Sequence, residues 1–325
     1  MKFTFGALAA LLWLTAASVA QTPPYPSRPI TMIVTAAAGG VTDVVARALG
    51  QELAKTWGEP VVIENRGGAA HILAAQAVAK AEPDGYTLMV TEAGTFTINP
   101  TIYPAGKLPY DTEKDFVPIS GLVRINQALL AENALPVATV SELIALAKGK
   151  PGQLTYGTAG IGSGPHMNMA LFESMAGVKL QPVHYRGATP ALDDLIGGHI
   201  NLMVISVSSA LPPAQASQVK LLGIGSAQRL ARFPDIPTVA ESGLPGYQAV
   251  TWFGLFGPTG TPRDIVLKLN AEVSLIFNDP EFRARFLEPQ LYEPMTGPPE
   301  EFAAYIKTDE HKWSTVIREA NIKLE

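Results

Sequence analysis

Between Ile30 and Thr91 the chain alternates short apolar runs with segments of helical spacing, and no other feature constrains its fold as much. "ITMIV" is an apolar run that leads into Gly39 and Gly40, and Val41, Val44, Val45, Leu49 and Leu53 then recur at helical spacing up to a stop at Gly58. "PVVIEN" predicts a short strand, "AAHILAAQAVAKA" a helix, and "DGYTLMVT" a third strand opened by the Asp84-Gly85 turn. Parallel neighbours need a crossover, and a helix between two strands supplies one. The same order restarts with "SELIALAKG", a helix capped by Ser141, then "QLTYGTA", "GPHMNMALFESMAG", "LQPVHY", "TPALDDLIGG" and "INLMVIS". Two α/β units are expected, followed by a mostly helical tail from Pro262. In such sheets ligands bind beyond the carboxyl ends of the strands, where the glycine-rich loops at 38–40 and 160–164 fall.

A chain of 325 residues, 47% hydrophobic and 16% charged, has material for about two domains. Its start, "MKFTFGALAALLWLTAASVAQTPP", combines one lysine, a short apolar run and a small-x-small site at Ser18-Val19-Ala20, so residues 1–20 read as a secretory leader. The absence of cysteine excludes disulfides, zinc thiolates and a lipid-anchored mature terminus, which fits a freely diffusing periplasmic protein. A net charge of −5 offers no basic footprint for nucleic acid.

Signatures of catalysis are sparse. Gly160-Ile161-Gly162-Ser163-Gly164 does not have the order of a nucleophile elbow, and no Walker loop or zincin motif occurs. The histidines at 71, 166, 184, 199 and 311 lie far apart, so neither a metal nor a cofactor is expected. Residues suited to a small anion are better represented. Thr35, Ala36, Gly39 and Gly40 follow the first strand, where backbone N–H groups can receive a carboxylate. Ser163 and His166 stand at the start of a helix whose free N–H groups and dipole favour an anion. Asp43 reads first as dipole placement, and Thr91, Thr95 and Thr97 as turn residues or ligand donors. Arg186 is a surface residue or a carboxylate clamp, and Trp252 and Phe253 are core or an apolar cleft wall.

The segments "YPSRPITMIVTAAAGGVTDVVARALGQEL", "VVIENRGGA", "GTAGIGSGPHMNMALFE", "VHYRGATPALDDLIGGHINLM" and "RFPDIPTVAESGLPGYQAVTWFGLFGPTGTP" follow one another in a distinctive order. Through them the whole mature chain resembles a Bug-type solute-binding protein, the extracytoplasmic receptor of tripartite tricarboxylate transporters. The resemblance implies a two-domain periplasmic flytrap of type II, each lobe a mainly parallel sheet flanked by helices. Residues 21–124 and 227–325 would form lobe 1 and residues 125–226 lobe 2, with hinge crossings near Val123–Asn126 and Gly223–Ala227 and the C-terminal helices returning to lobe 1. It also implies a monomer that binds a small carboxylate between the lobes and docks on membrane transporter subunits. The loop from Thr35 to Gly40 and the stretch Gly162-Ser163-His166 would supply contacts, with Thr91–Thr97 and Ser206–Ser209 flanking them and Arg186 nearby.

Three departures bear on the ligand. Ala38 stands before Gly39-Gly40 where the family usually has proline, His71 where asparagine is common, and Ile205-Ser206 where an acidic residue and asparagine are usual. Losing that carboxylate removes a partner for an amino group, so an amine-free mono- or dicarboxylate is expected. Ile205 and Phe253 would add tolerance for an aromatic or longer aliphatic acid. Two other roles stay open at this level: a sensor presenting its closed form to a membrane kinase, and a periplasmic hydrolase using Ser163 with His166 or His71.

Overall fold

The computed structural model describes residues 24–67, 71–104 and 106–323; the leader expected at residues 1–20 lies outside them. The first unit runs β1 (Ile30–Val34), α1 (Val41–Trp57), β2 (Val61–Asn65), α2 (Ile72–Ala79) and β3 (Thr87–Glu92), then two short helices, α3 (Gly94–Thr97) and α4 (Asn99–Ile102). A 17-residue strand, β4 (Phe116–Glu132), leads into α5 (Val140–Gly149), β5 (Thr155–Thr158), α6 (Gly164–Ala176), β6 (Gln181–His184), α7 (Ala188–Ile196), β7 (Leu202–Ser206), α8 (Val207–Gln215) and β8 (Val219–Ile224). The chain returns through β9 (Val250–Pro258), α9 (Arg263–Asn278), α10 (Pro280–Phe282), β10 (Tyr292–Pro294) and α11 (Pro299–Glu319).

Strand β4 belongs to both halves. From Phe116 to Asn126 it pairs with β9, and from Gln127 onward with β7 and β8, so its partners change between Asn126 and Gln127. The first half is ordered β2-β1-β3-β9-β4, with β10 on the far side of β4; the second is β8-β4-β7-β5-β6. This is an α/β fold with a mixed sheet. Parallel pairing joins β1 with β2 and β3 and β5 with β6 and β7, where helices make the crossovers expected from the sequence. The strands that join the units pair antiparallel.

Three expectations are corrected. The return crossing does not lie at Gly223–Ala227. Val239 bonds to Ile224, and Val239, Leu244, Tyr247 and Ala249 pack in the second-half core with Leu143, Phe172 and Leu202, so the chain recrosses at Ala249–Val250. Helix α11 serves both halves: Phe302 and Ile306 sit in a core with Trp252 and Phe256, whereas Trp313, Val316 and Ile317 pack with Met167 and Leu171 of α6. Ser141 does not cap α5. Thr139 does, accepting from the Glu142 N–H at 3.2 Å, while Glu142 accepts from the Ala138 N–H; Ser141 instead donates to the Ser242 carbonyl.

Candidate functional site

The registers fix which ends of the strands meet. Glu92, the last residue of β3, lies opposite Phe253 near the start of β9, and β1 runs parallel to β3. Ser206, the last residue of β7, lies opposite Gln127, and β5 runs parallel to β7. The carboxyl ends of both parallel sets therefore point to the Asn126–Gln127 junction. The loops after β1, β3, β5 and β7 gather there, as the position of Gly164 confirms: a Cβ on it would meet Thr251 Oγ1 of β9 at 3.5 Å.

The first loop rests on a dense set of side chains. Thr35 is fully buried, its hydroxyl bonded at 2.9 Å to that of Thr91, which bonds at 2.6 Å to that of Thr95. Asp43, 2% exposed, accepts from the Gly39 N–H, from Arg47 and from Asn65, and Asn65 also donates to the Ala36 carbonyl. Burial alone would raise the Asp43 carboxyl, but these donors hold it below the usual carboxylate range. Gly39 adopts φ 82°, a left-handed turn that glycine takes without strain. The N–H groups of Ala36, Ala37 and Ala38 have no partner among the described residues, so the loop presents donors to whatever enters the junction.

His71 is joined to this loop. Its Nδ1 lies 2.8 Å from the Thr35 carbonyl oxygen and its Nε2 3.0 Å from Glu92 Oε1. The Thr35 carbonyl can only accept, so Nδ1 carries a proton, and opposite an ionised Glu92 the Nε2 donates as well, which makes the ring cationic. Burial opposes that charge, but the Glu92 carboxylate and the Thr35 carbonyl raise the His71 pKa; burial likewise opposes the Glu92 charge, and His71 holds it below its ordinary value. Sequence reasoning missed Glu92. The available signal was an acid closing an otherwise apolar strand, "TLMVTE".

The second loop is barer. Gly162, at φ 74°, has its virtual Cβ 3.1 Å from Ile102 Cδ1, so a larger residue would be strained and crowded. Its N–H donates to His166 Nδ1 at 3.0 Å, which places the ring proton on Nε2 and makes His166 neutral. Burial, reinforced by His184 at a ring separation of 5.0 Å, pushes the His166 pKa down to about 4. Ser163 occupies the cap position of α6 without making a cap bond, and its hydroxyl is buried with no partner. Among the described residues, the N–H groups of Ile161, Gly164 and His166 have no partner. Ser163 is bonded to neither His166 nor His71, so the nucleophile–base pair considered from sequence is not assembled.

The other candidates divide. Ser206 caps α8, its hydroxyl bonded at 2.8 Å to that of Ser209, at the junction end of β7. Arg186 is exposed in the loop before α7 and makes no ion pair among the described residues. Phe253 is no cleft wall. It is 3% exposed within the core formed by Val34, Val90 and Val123, where burial is worth about 2 kcal/mol. Trp252 is also core, donating to Asp309 at 2.8 Å. Ile205, 7% exposed, packs with Ala128 and Leu130, so neither apolar residue expected to favour an aromatic acid is available to one. Among the described residues no cluster of His, Cys, Asp or Glu side chains could hold a metal ion, and no helix is long and apolar enough to cross a membrane.

Residues 45–322 match the model of the tripartite tricarboxylate transporter family receptor. The chain is 32% identical over 302 residues to Protein BugT of Bordetella pertussis, covering 93% of this chain and 92% of that one. Among solved structures it is similar to R. palustris Rpa4515 with adipate, at TM-score 0.81 and 32% identity over 92% of this chain and all (100%) of the other. MatC from Rhodopseudomonas palustris with bound malate gives TM-score 0.75 and 36% identity, covering 90% of this chain and 100% of MatC.

Proposed function

Because the chain belongs to the tripartite tricarboxylate transporter receptor family, we propose that it is a periplasmic receptor capturing a small, amine-free dicarboxylate between two lobes. Among the described residues, 24–126 with 250–323 make one lobe, whose α11 reaches across to the other, and 127–249 make that second lobe; the two join at the partner switch in β4 and the start of β9. One observation carries the reading: each lobe brings to the same junction a loop whose donors have no partner among the described residues. These are the N–H groups of Ala36–Ala38 on one side, and those of Ile161, Gly164 and His166 with the Ser163 hydroxyl on the other. Two sets of donors suit two carboxylate ends, and a neutral His166 adds an Nε2–H that has no partner among the described residues. Closure of the lobes excludes water and strengthens both sets of contacts, and the closed form is what a membrane transporter would receive.

The absence of an amine follows from the carboxylates bonded into the site. Asp43 and Glu92 already take hydrogen bonds from Arg47, Asn65 and His71, and Ser206 offers only a hydroxyl at the end of β7. Adipate and malate in the two similar proteins support a dicarboxylate of aliphatic character. Calorimetry with malate, adipate, aspartate and glutamate tests the reading. One-to-one binding of malate or adipate, recovered chemically unchanged, is expected; tight binding of the amino acids alone would overturn it.

A further inference from the structure

His71 takes the left-handed φ of 73° before α2, a backbone region that non-glycine residues seldom occupy. Two bonds account for its staying there, to the Thr35 carbonyl and to Glu92. Glu92 stands at the carboxyl end of β3, beside the threonine hydroxyls beneath the first loop, where an uncompensated negative charge would repel an arriving acid. No charge other than the partner's acts appreciably on either group. From β1 the ring faces the Thr35 carbonyl, from β3 it faces Glu92, and its own helix brings no acid or base into its first turn. Asp43 and Arg47 of α1, bonded to the far end of the loop, are paired with each other.

We propose that His71 is a positioning and specificity-determining residue: as an imidazolium it neutralises Glu92 and pins Thr35, so the Ala36–Ala38 donors accept an anion only while His71 is protonated. Loss of the Nε2 proton leaves a lone pair facing the carboxylate. The Nδ1 bond to Thr35 survives in that tautomer, but the Glu92 charge is set free against the ligand. Acid capture therefore weakens as pH rises through the His71 value, which Glu92 and the Thr35 carbonyl hold above the ordinary histidine range.

This inference deepens the carboxylate reading, and its test has one arm that needs no ligand. Nitrogen-detected NMR of the imidazoles near pH 7 should find both His71 nitrogens protonated, with the amides of residues 35–40 titrating at the His71 midpoint. Glu92→Gln should lower that midpoint by about one unit. A singly protonated His71, or loop amides that ignore it, overturns the proposal. The second arm uses malate and calorimetry. His71→Asn, a residue that tolerates the left-handed conformation, should weaken binding about tenfold, and adding Glu92→Gln should restore most of the loss. Equal weakness of the single and double variants would mean that His71 acts through shape alone and would sink the charge argument. If the wild type binds neither malate nor any other acid, the receptor reading falls, and the NMR arm alone decides on the pair.

Discussion

Residues 35–40 rest on three sets of side chains that bond one another, whereas residues 160–166 rest on fewer and leave a buried hydroxyl among them unpaired. Beneath the first loop, Asp43, Arg47 and Asn65 form one network, Thr35, Thr91 and Thr95 a second, and His71 with Glu92 a third. Beneath the second, Thr158 bonds His184 and receives the Gly160 N–H, and Gly162 leans on His166, while the Ser163 hydroxyl and the Asn168 amide nitrogen are buried with no partner among the described residues. A buried polar group left unbonded costs about 1–3 kcal/mol, which a ligand oxygen arriving at Ser163 would recover. On the proposed reading, the first loop is set before a ligand comes, and the second holds bonds in reserve for one. This division suits a receptor whose bound form must differ from its empty one.

Breaking the set half should cost the most. Asp43→Ala removes a buried acceptor from the Gly39 N–H, Asn65 and Arg47 at once. Urea denaturation is expected to register a loss of about 3 kcal/mol. Arg47 is half exposed, so it is rehydrated on losing its partner and keeps the cost from rising further. A loss below about 0.5 kcal/mol would mean that the loop does not depend on this network, and the contrast between the halves would go.

The two histidines are shifted in opposite directions, and pH sharpens the comparison. His71 has a raised folded value, so its contribution is present below the unfolded value near 6.5 and is lost as pH rises through the folded one. Glu92, with a lowered value, contributes above the unfolded range near 4.5 and loses that as pH falls through its folded value. His166, pushed down to about 4, is favoured neutral, and its contribution is lost as pH falls from near 6.5 towards that value. Between about pH 7 and pH 5 the His166 site alone should weaken folding by about 2 kcal/mol, and His166→Gln should flatten that part of the profile. An unchanged profile would show that His166 carries its proton as readily folded as unfolded.

How much of this was legible depended on how far apart the partners lie in sequence. Helices α1 and α6 were readable because apolar spacing and the stops at Gly58 and Gly177 are local signals. Strand β4 was not. "FVPISGLVRINQALLAE" pairs on both edges and is buried along most of its length, so it shows neither alternation nor a turn between its two halves. Strand β9 hid behind its glycines, of which Gly254 is dictated by α11: a Cβ there would run into the Phe302 ring. The glycine loops of the site were visible as composition. Their supports were not, because His71 reaches Glu92 only once β1 and β3 lie side by side, and no local pattern encodes that adjacency.

The reserve half gives the smallest effect and the sharpest separation of stability from binding. Ser163 makes no cap bond to α6, so Ser163→Ala removes nothing that holds the empty protein together. It also deletes a buried hydroxyl without a partner, so the empty variant should be as stable as the wild type or up to about 1 kcal/mol more so. Its affinity for malate should nevertheless fall about tenfold, the worth of one hydrogen bond to a carboxylate. The opposite pattern, a less stable protein with unchanged affinity, would show that Ser163 supports the helix after all. The second loop would then be as fully set as the first, and the donors for the second carboxylate would have to come from elsewhere on that lobe.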